Sequence, residues 1–202
     1  MLADAEKIYS QLVNWRRDFH MYPELGFQET RTAAKVAEHL ESWGYRVRTG
    51  VGKTGVVGDL GRGKPIVAIR ADMDALPIQE SNEVPYKSKH DGVMHACGHD
   101  AHMAMALGAA KILADEDFPG TVRFLFQPAE EIEDEAGLSG APRMIADGAI
   151  DEVDYALALH VAASIDTGEI ELDEYAAAGV DTFYAKIIGQ GGHGSTPHKV
   201  ID

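Results

Sequence analysis

Cysteine is nearly missing from this chain of 202 residues: Cys97 stands alone, so no disulfide can close within it. A lone thiol fits a reducing compartment, and its crowded histidine neighbours point to reactivity or ligation instead of stapling. Positive charge is scarce as well. Eighteen lysines and arginines face 33 acidic residues, a formal net charge of -15 that removes the electrostatic basis for gripping nucleic acid or an anionic membrane. Neither is expected as a partner. Long apolar runs are absent too: residues 1–10 are polar and helical in character, without a signal core or an Arg-rich transit pattern, and no later stretch approaches a membrane span. A cytoplasmic location is the default expectation. There is no internal repeat or low-complexity tract, and 45% hydrophobic with 25% charged residues is the balance of a folded globular chain.

What is present reads as strands alternating with helices. Ile8, Leu12, Trp15 and Phe19 recur at helical spacing and predict an amphipathic helix over 5–20, closed by Pro23. Ala33, Val36, Ala37 and Leu40 predict a second over 29–43, ended by Gly44. Strands are predicted over 45–48, 55–60 and 65–70, the last apolar throughout (Ile66-Val67-Ala68-Ile69) and therefore expected to be central and covered on both faces. An Ala-, Met- and Leu-rich helix follows over 98–114, then a buried strand over 121–126, a helix over 138–148, and strands over 155–159, 168–172 and 179–188. The alternation predicts an α/β layer fold with a mixed or parallel sheet, in which functional groups sit beyond strand ends.

Three sets of polar residues stand at such ends. Cys97 and His99 flank Gly98 at a helix start, a spacing that lets both side chains turn toward one point. The helix N-terminus favours negative charge, so the thiolate needed for ligation is expected to form easily. Glu130 and Glu131 follow the 121–126 strand behind the rigid Pro128, and His160 follows the 155–159 strand. One carboxylate of the pair can bind a metal while its neighbour takes a proton from water, and the sequence leaves open which does which. Asp72 and Asp74, after the 65–70 strand, are candidates for orienting ligand imidazoles or holding a substrate group; His95 and His102 are either supporting residues or merely exposed, with pocket lining a further alternative for His102. Together these residues read as a metal-dependent hydrolase.

Six blocks in order carry a resemblance. Arg17-Asp18-Phe19-His20 with Pro23-Glu24-Leu25, Arg70-Ala71-Asp72-Met73-Asp74-Ala75-Leu76-Pro77, the Cys/His cluster of residues 95–102, Phe126-Gln127-Pro128-Ala129-Glu130-Glu131, Leu159-His160, and Gly192-His193 with Pro197-His198 resemble the M20 metallopeptidase family. The branch is that of aminoacylases, hippurate hydrolases and auxin-conjugate amidohydrolases. The resemblance implies a three-layer α/β/α zinc-peptidase-like catalytic domain over 1–177 and the beginning of a lid or dimerisation domain over 178–202. It implies two divalent ions, with Cys97, His99, Glu131 and His160 as ligands and Glu130 as general base. The substrate would be an N-acyl amino acid or small peptide, and His193 would help hold its carbonyl across a homodimer. One thiolate, two imidazoles and carboxylate oxygen suit zinc best, with manganese, cobalt or nickel as alternatives.

Members of that family run to roughly twice this length and place a last histidine ligand near the C-terminus. This chain stops as the lid begins, so weak or no turnover is expected of it alone. Two rival readings make other demands. A cysteine hydrolase with Cys97 as nucleophile and His99 or His160 as base needs no metal and leaves Glu130 and Glu131 without work. A non-catalytic fragment would bind a metal or a partner without turnover.

Overall fold

The computed structural model describes residues 2–172, 183–186 and 188–201. Chain contacts divide the protein into two units, 1–162 and 163–202.

The first unit begins with two helices where one was predicted. α1 (Leu2–Lys7) and α2 (Tyr9–Met21) are separated by a turn at Ile8. The apolar stripe fixes only α2, which buries Trp15 and Phe19, whereas α1 buries nothing. α2 stops at Met21 because the residue before Pro23 is pushed out of the helical region. α3 (Thr30–Ser42) buries Val36, Ala37 and Leu40 on one stripe and ends where Gly44 takes φ +83°.

Strands β1 (Arg46–Val51), β2 (Gly55–Arg62) and β3 (Ile66–Asp72) follow, then α4 (His99–Leu113), β4 (Gly120–Gln127), α5 (Gly140–Ala146) and β5 (Tyr155–Ala158). The five strands form one mixed sheet in the order β1-β2-β4-β3-β5. β1, β2 and β4 pair antiparallel, while β3 runs parallel to both β4 and β5. The two faces of the sheet carry separate cores, as the period-2 alternation of strands requires. Val56, Phe124 and Phe126 pack with α2, α3 and α4, whereas Val57, Ala68 and Leu125 pack with Met144 of α5 and Ala149. This is an α/β/α sandwich.

β3 is an interior strand, as predicted, but it is not fully covered on both faces. β3 lies between β4 and β5, and Ile66, Val67 and Ile69 are only partly buried because the β5 flank brings little cover: every side chain of β5 is exposed. α5 is also shorter than the predicted 138–148 helix.

In the second unit the predicted strand over 168–172 is absent, since alternation alone supplies no pairing partner. The strand predicted over 179–188 lies partly outside the described residues, and 183–186 hold no strand. A bridge joins Gln190 to Ile201, and a short 3-10 turn covers Pro197–Lys199. No helix among the described residues is long and apolar enough to cross a membrane.

Candidate metal centre

Three parallel strands end on the same edge of the sheet. β3 leads to α4 and then to β4 on one side of it, and β4 leads through α5 to β5 on the other, so β3 is the switch point at which α/β folds open a crevice. Asp72 and Asp74 leave β3 there, Glu130 and Glu131 leave β4, His160 leaves β5, and α4 begins with His99.

Each exit is shaped by local backbone chemistry. Gly98, the residue before α4, takes φ +83°, and a Cβ on it would lie 2.3 Å from Val161 Cγ2. Only glycine lets Cys97 turn back beside the end of β5. At the end of β4, Ala129 is fully buried with φ +42°, a conformation that a side-chain-bearing residue holds only when its surroundings impose it. Glu29 imposes it. This buried carboxylate, at the start of α3, accepts the Ala129 N–H at 2.8 Å and the Thr54 hydroxyl. Burial pushes its pKa up, and these hydrogen bonds work against that. Sequence reasoning missed Glu29; its one signal was an acidic residue where Ser, Thr, Asp or Asn usually caps a helix.

Asp74 joins two exits. Its Oδ1 lies 3.1 Å from His99 Nδ1, its carbonyl oxygen 2.9 Å from the same nitrogen, and its Oδ2 accepts the Glu131 N–H at 3.0 Å. Burial disfavours the charged form, yet these bonds keep the Asp74 pKa below its ordinary value. With two oxygens facing Nδ1, the His99 proton sits there and the Nε2 lone pair points into the centre. That Nε2 is buried and has no hydrogen-bond partner among the described residues. Burial lowers the affinity of His99 for a second proton, but Asp74 and Asp72 outweigh it and raise the pKa. The centre favours positive charge.

His99 is shared by three groups whose ligand atoms lie within 4.8 Å of one another: Cys97, His99 and His160; His99, Glu130 and Glu131; and Asp72, His99 and His102. His160 Nε2 is 3.4 Å from Cys97 Sγ, and its Nδ1 donates to the Val161 carbonyl at 2.7 Å. Glu131 Oε1 is 4.0 Å from His99 Nε2. Glu130 is exposed as a residue, and partial desolvation of its carboxyl together with the charges of Asp72 and Glu131 raises its pKa, as suits a proton acceptor. The donor set of sulfur, imidazole nitrogen and carboxylate oxygen around an unpartnered buried nitrogen fits a divalent cation.

The thiol departs from expectation. Partial burial, a hydrogen bond to Glu131, and the charges of Glu131, Glu130 and Asp72 push Cys97 up to about 12, overriding the helix N-terminus. Without a cation it is a thiol, which leaves a cysteine nucleophile unactivated. His95 is buried with both ring nitrogens unpartnered among the described residues, and burial lowers its pKa to about 4. His102 is buried and bonded at both ring nitrogens, to Asp72 and to Val161. His193 belongs to the second unit, where its Nδ1 accepts from the Ser195 hydroxyl at 2.8 Å and the Ser195 N–H at 3.2 Å.

Residues 68–194 match the model of peptidase family M20/M25/M40. The chain belongs to this family. Among M20 relatives, it is 45% identical over 204 residues to an N-acyl-L-amino acid amidohydrolase of Geobacillus stearothermophilus, with 98% of this chain and 54% of the relative covered. It is 46% identical over 192 residues to the hippurate hydrolase of Campylobacter jejuni, with 93% and 49% covered. Among solved structures, the Bacillus subtilis protein YXEP, described as a dinuclear metal binding peptidase of the M20 family, superimposes with a TM-score of 0.70 at 43% identity, with 77% of this chain and 44% of that one covered. The chain spans about half the length of the curated relatives it matches.

Proposed function

We propose that this chain carries the metal centre of an amidohydrolase that cleaves N-acyl amino acids or small peptides, with Cys97, His99, Glu131 and His160 as ligands to two divalent cations and Glu130 as general base. The observation that carries the reading is the buried, unpartnered Nε2 of His99, surrounded by the thiol, imidazole and carboxylates just described. The names of the relatives support the substrate class, and YXEP supports two ions.

When bound, the cations supply Lewis acidity to water and to the scissile carbonyl. Asp74 orients His99, Asp72 supports the neighbouring His102, and Glu29 sets the backbone from which Glu130 and Glu131 project. Glu130 accepts a proton from the attacking water and returns it to the leaving amine nitrogen. His193 would hold the substrate carbonyl, from a lid or dimerisation domain that begins at 178, after a catalytic domain over 1–177; a homodimer is proposed on the same ground. Zinc suits the donor set best, with manganese, cobalt or nickel able to replace it. A cytoplasmic location goes with the reduced thiol.

Metal analysis joined to a hydrolysis screen over N-acetyl and N-benzoyl amino acids tests this. Glu130→Gln is expected to keep its metal and lose at least about a hundredfold of any turnover. A variant that loses metal and keeps its rate would overturn the assignment.

A further inference from the structure

We propose that His102 is a positioning residue that anchors the end of β5, holding the Val161 peptide so that His160 faces Cys97 and His99. The inference rests on the metal-centre reading for its consequence and on hydrogen-bond geometry for its substance.

His99 and His102 lie three residues apart on α4, on one helix face, with ring centroids 5.1 Å apart. Their surroundings differ at a single nitrogen. His99 Nε2 has no hydrogen-bond partner among the described residues, whereas His102 Nε2 is 3.1 Å from the Val161 nitrogen. An amide only donates, so Nε2 of His102 accepts and its proton sits on Nδ1, which donates to Asp72 Oδ2 at 3.3 Å. Asp72 is itself ion-paired with Arg70, whose Nε donates to Gln127 Oε1 at 2.8 Å. A polar chain therefore runs from the ends of β3 and β4, through α4, to the end of β5.

β5 needs such a hold. Its four residues pair with β3, its side chains are exposed, and its ladder ends at Ala158, two residues before His160. Val161 is held at both polar atoms: its N–H by His102 and its carbonyl by His160 Nδ1. Fixing this peptide fixes the His160 ring, which packs edge-on to His102 at 4.6 Å between centroids. The alternative, His102 as a ligand with Asp72 and His99, requires a lone pair that the Val161 amide already occupies.

The test uses the 202-residue chain labelled with 15N. Ring nitrogen correlations are expected to show His102 protonated on Nδ1, with Nε2 unmoved on zinc addition. His102→Phe keeps ring volume without an acceptor, whereas His102→Gln restores one near the ring tip. In metal-free protein, Val161 amide exchange should accelerate roughly five- to tenfold in the Phe variant, the net worth of one hydrogen bond, and return toward wild type in the Gln variant. Zinc affinity should fall about 10–100-fold in the Phe variant and recover within a few-fold in the Gln variant. Unchanged Val161 exchange and zinc affinity in His102→Phe would overturn the proposal, as would a zinc-shifted His102 Nε2. If the Phe variant does not fold, the wild-type tautomer and its response to zinc decide. Wild-type protein that binds no zinc but keeps the Val161 protection pattern would sink the metal-centre reading and leave the anchor standing.

Discussion

Asp74 uses both carboxylate oxygens on different partners, one on the His99 ring and one on the Glu131 backbone. Because the two partners are both donors, an amide in its place can satisfy only one and turns its own N–H toward the other. Asp74→Asn is therefore expected to keep the fold and weaken zinc binding about 10–100-fold, read by competition with a chromophoric chelator. Wild-type affinity in this variant would show that the His99 ring needs no such orientation. Residue types were the most readable part of the site: the Cys-Gly-His string, the adjacent glutamates and the paired aspartates all stand out in sequence. Their partners were not. Glu29 is a charged residue that the fold buries, and the bond from Val161 to His102 joins positions 59 apart. No local pattern announces either.

Between elements, α4 closely approaches the end of β5 across Gly98. A methyl group there meets Val161 at 2.3 Å, and the φ of +83° is itself costly for any other residue. Gly98→Ala is expected to destabilise the chain by roughly 1–3 kcal/mol, measured by urea unfolding, and to reduce zinc affinity by displacing His160. A neutral effect on both would mean that the β5 end is free to move. Elements were legible where burial follows period, as in the stripe of α3. They were misread where pattern lacked a partner: residues 168–172 alternate without pairing, and the helix predicted over 5–20 breaks at Ile8, before which no side chain of its first turns is buried.

At the scale of the molecule, His20 ties together segments that the sequence keeps far apart. Its Nδ1 lies 2.8 Å from Asp100 of α4 and its Nε2 3.1 Å from Glu80, while Arg16 meets Asp100 at 2.7 Å. The hydrogen bond to Asp100 raises the His20 pKa against the opposing effect of burial, with Glu80 adding to the rise and the Arg16 charge opposing it. A raised folded-state value contributes stability that is complete below the unfolded value of about 6.5 and is lost as pH climbs through the folded one. Unfolding free energy is thus expected to fall as pH rises above about 6.5, and His20→Gln should flatten that slope while lowering stability at pH 6 by roughly 1–3 kcal/mol. An equal slope in both proteins would assign the pH response elsewhere.

Among the described residues no strand pairs with the outer flank of the four-residue β5, where Tyr155 and Leu157 are both about half exposed or more. Such a flank is a template for another strand, so concentrated solutions of this chain should thicken into dimers and larger species through main-chain zippering, at the very seam where the histidine that completes the thiol pair emerges.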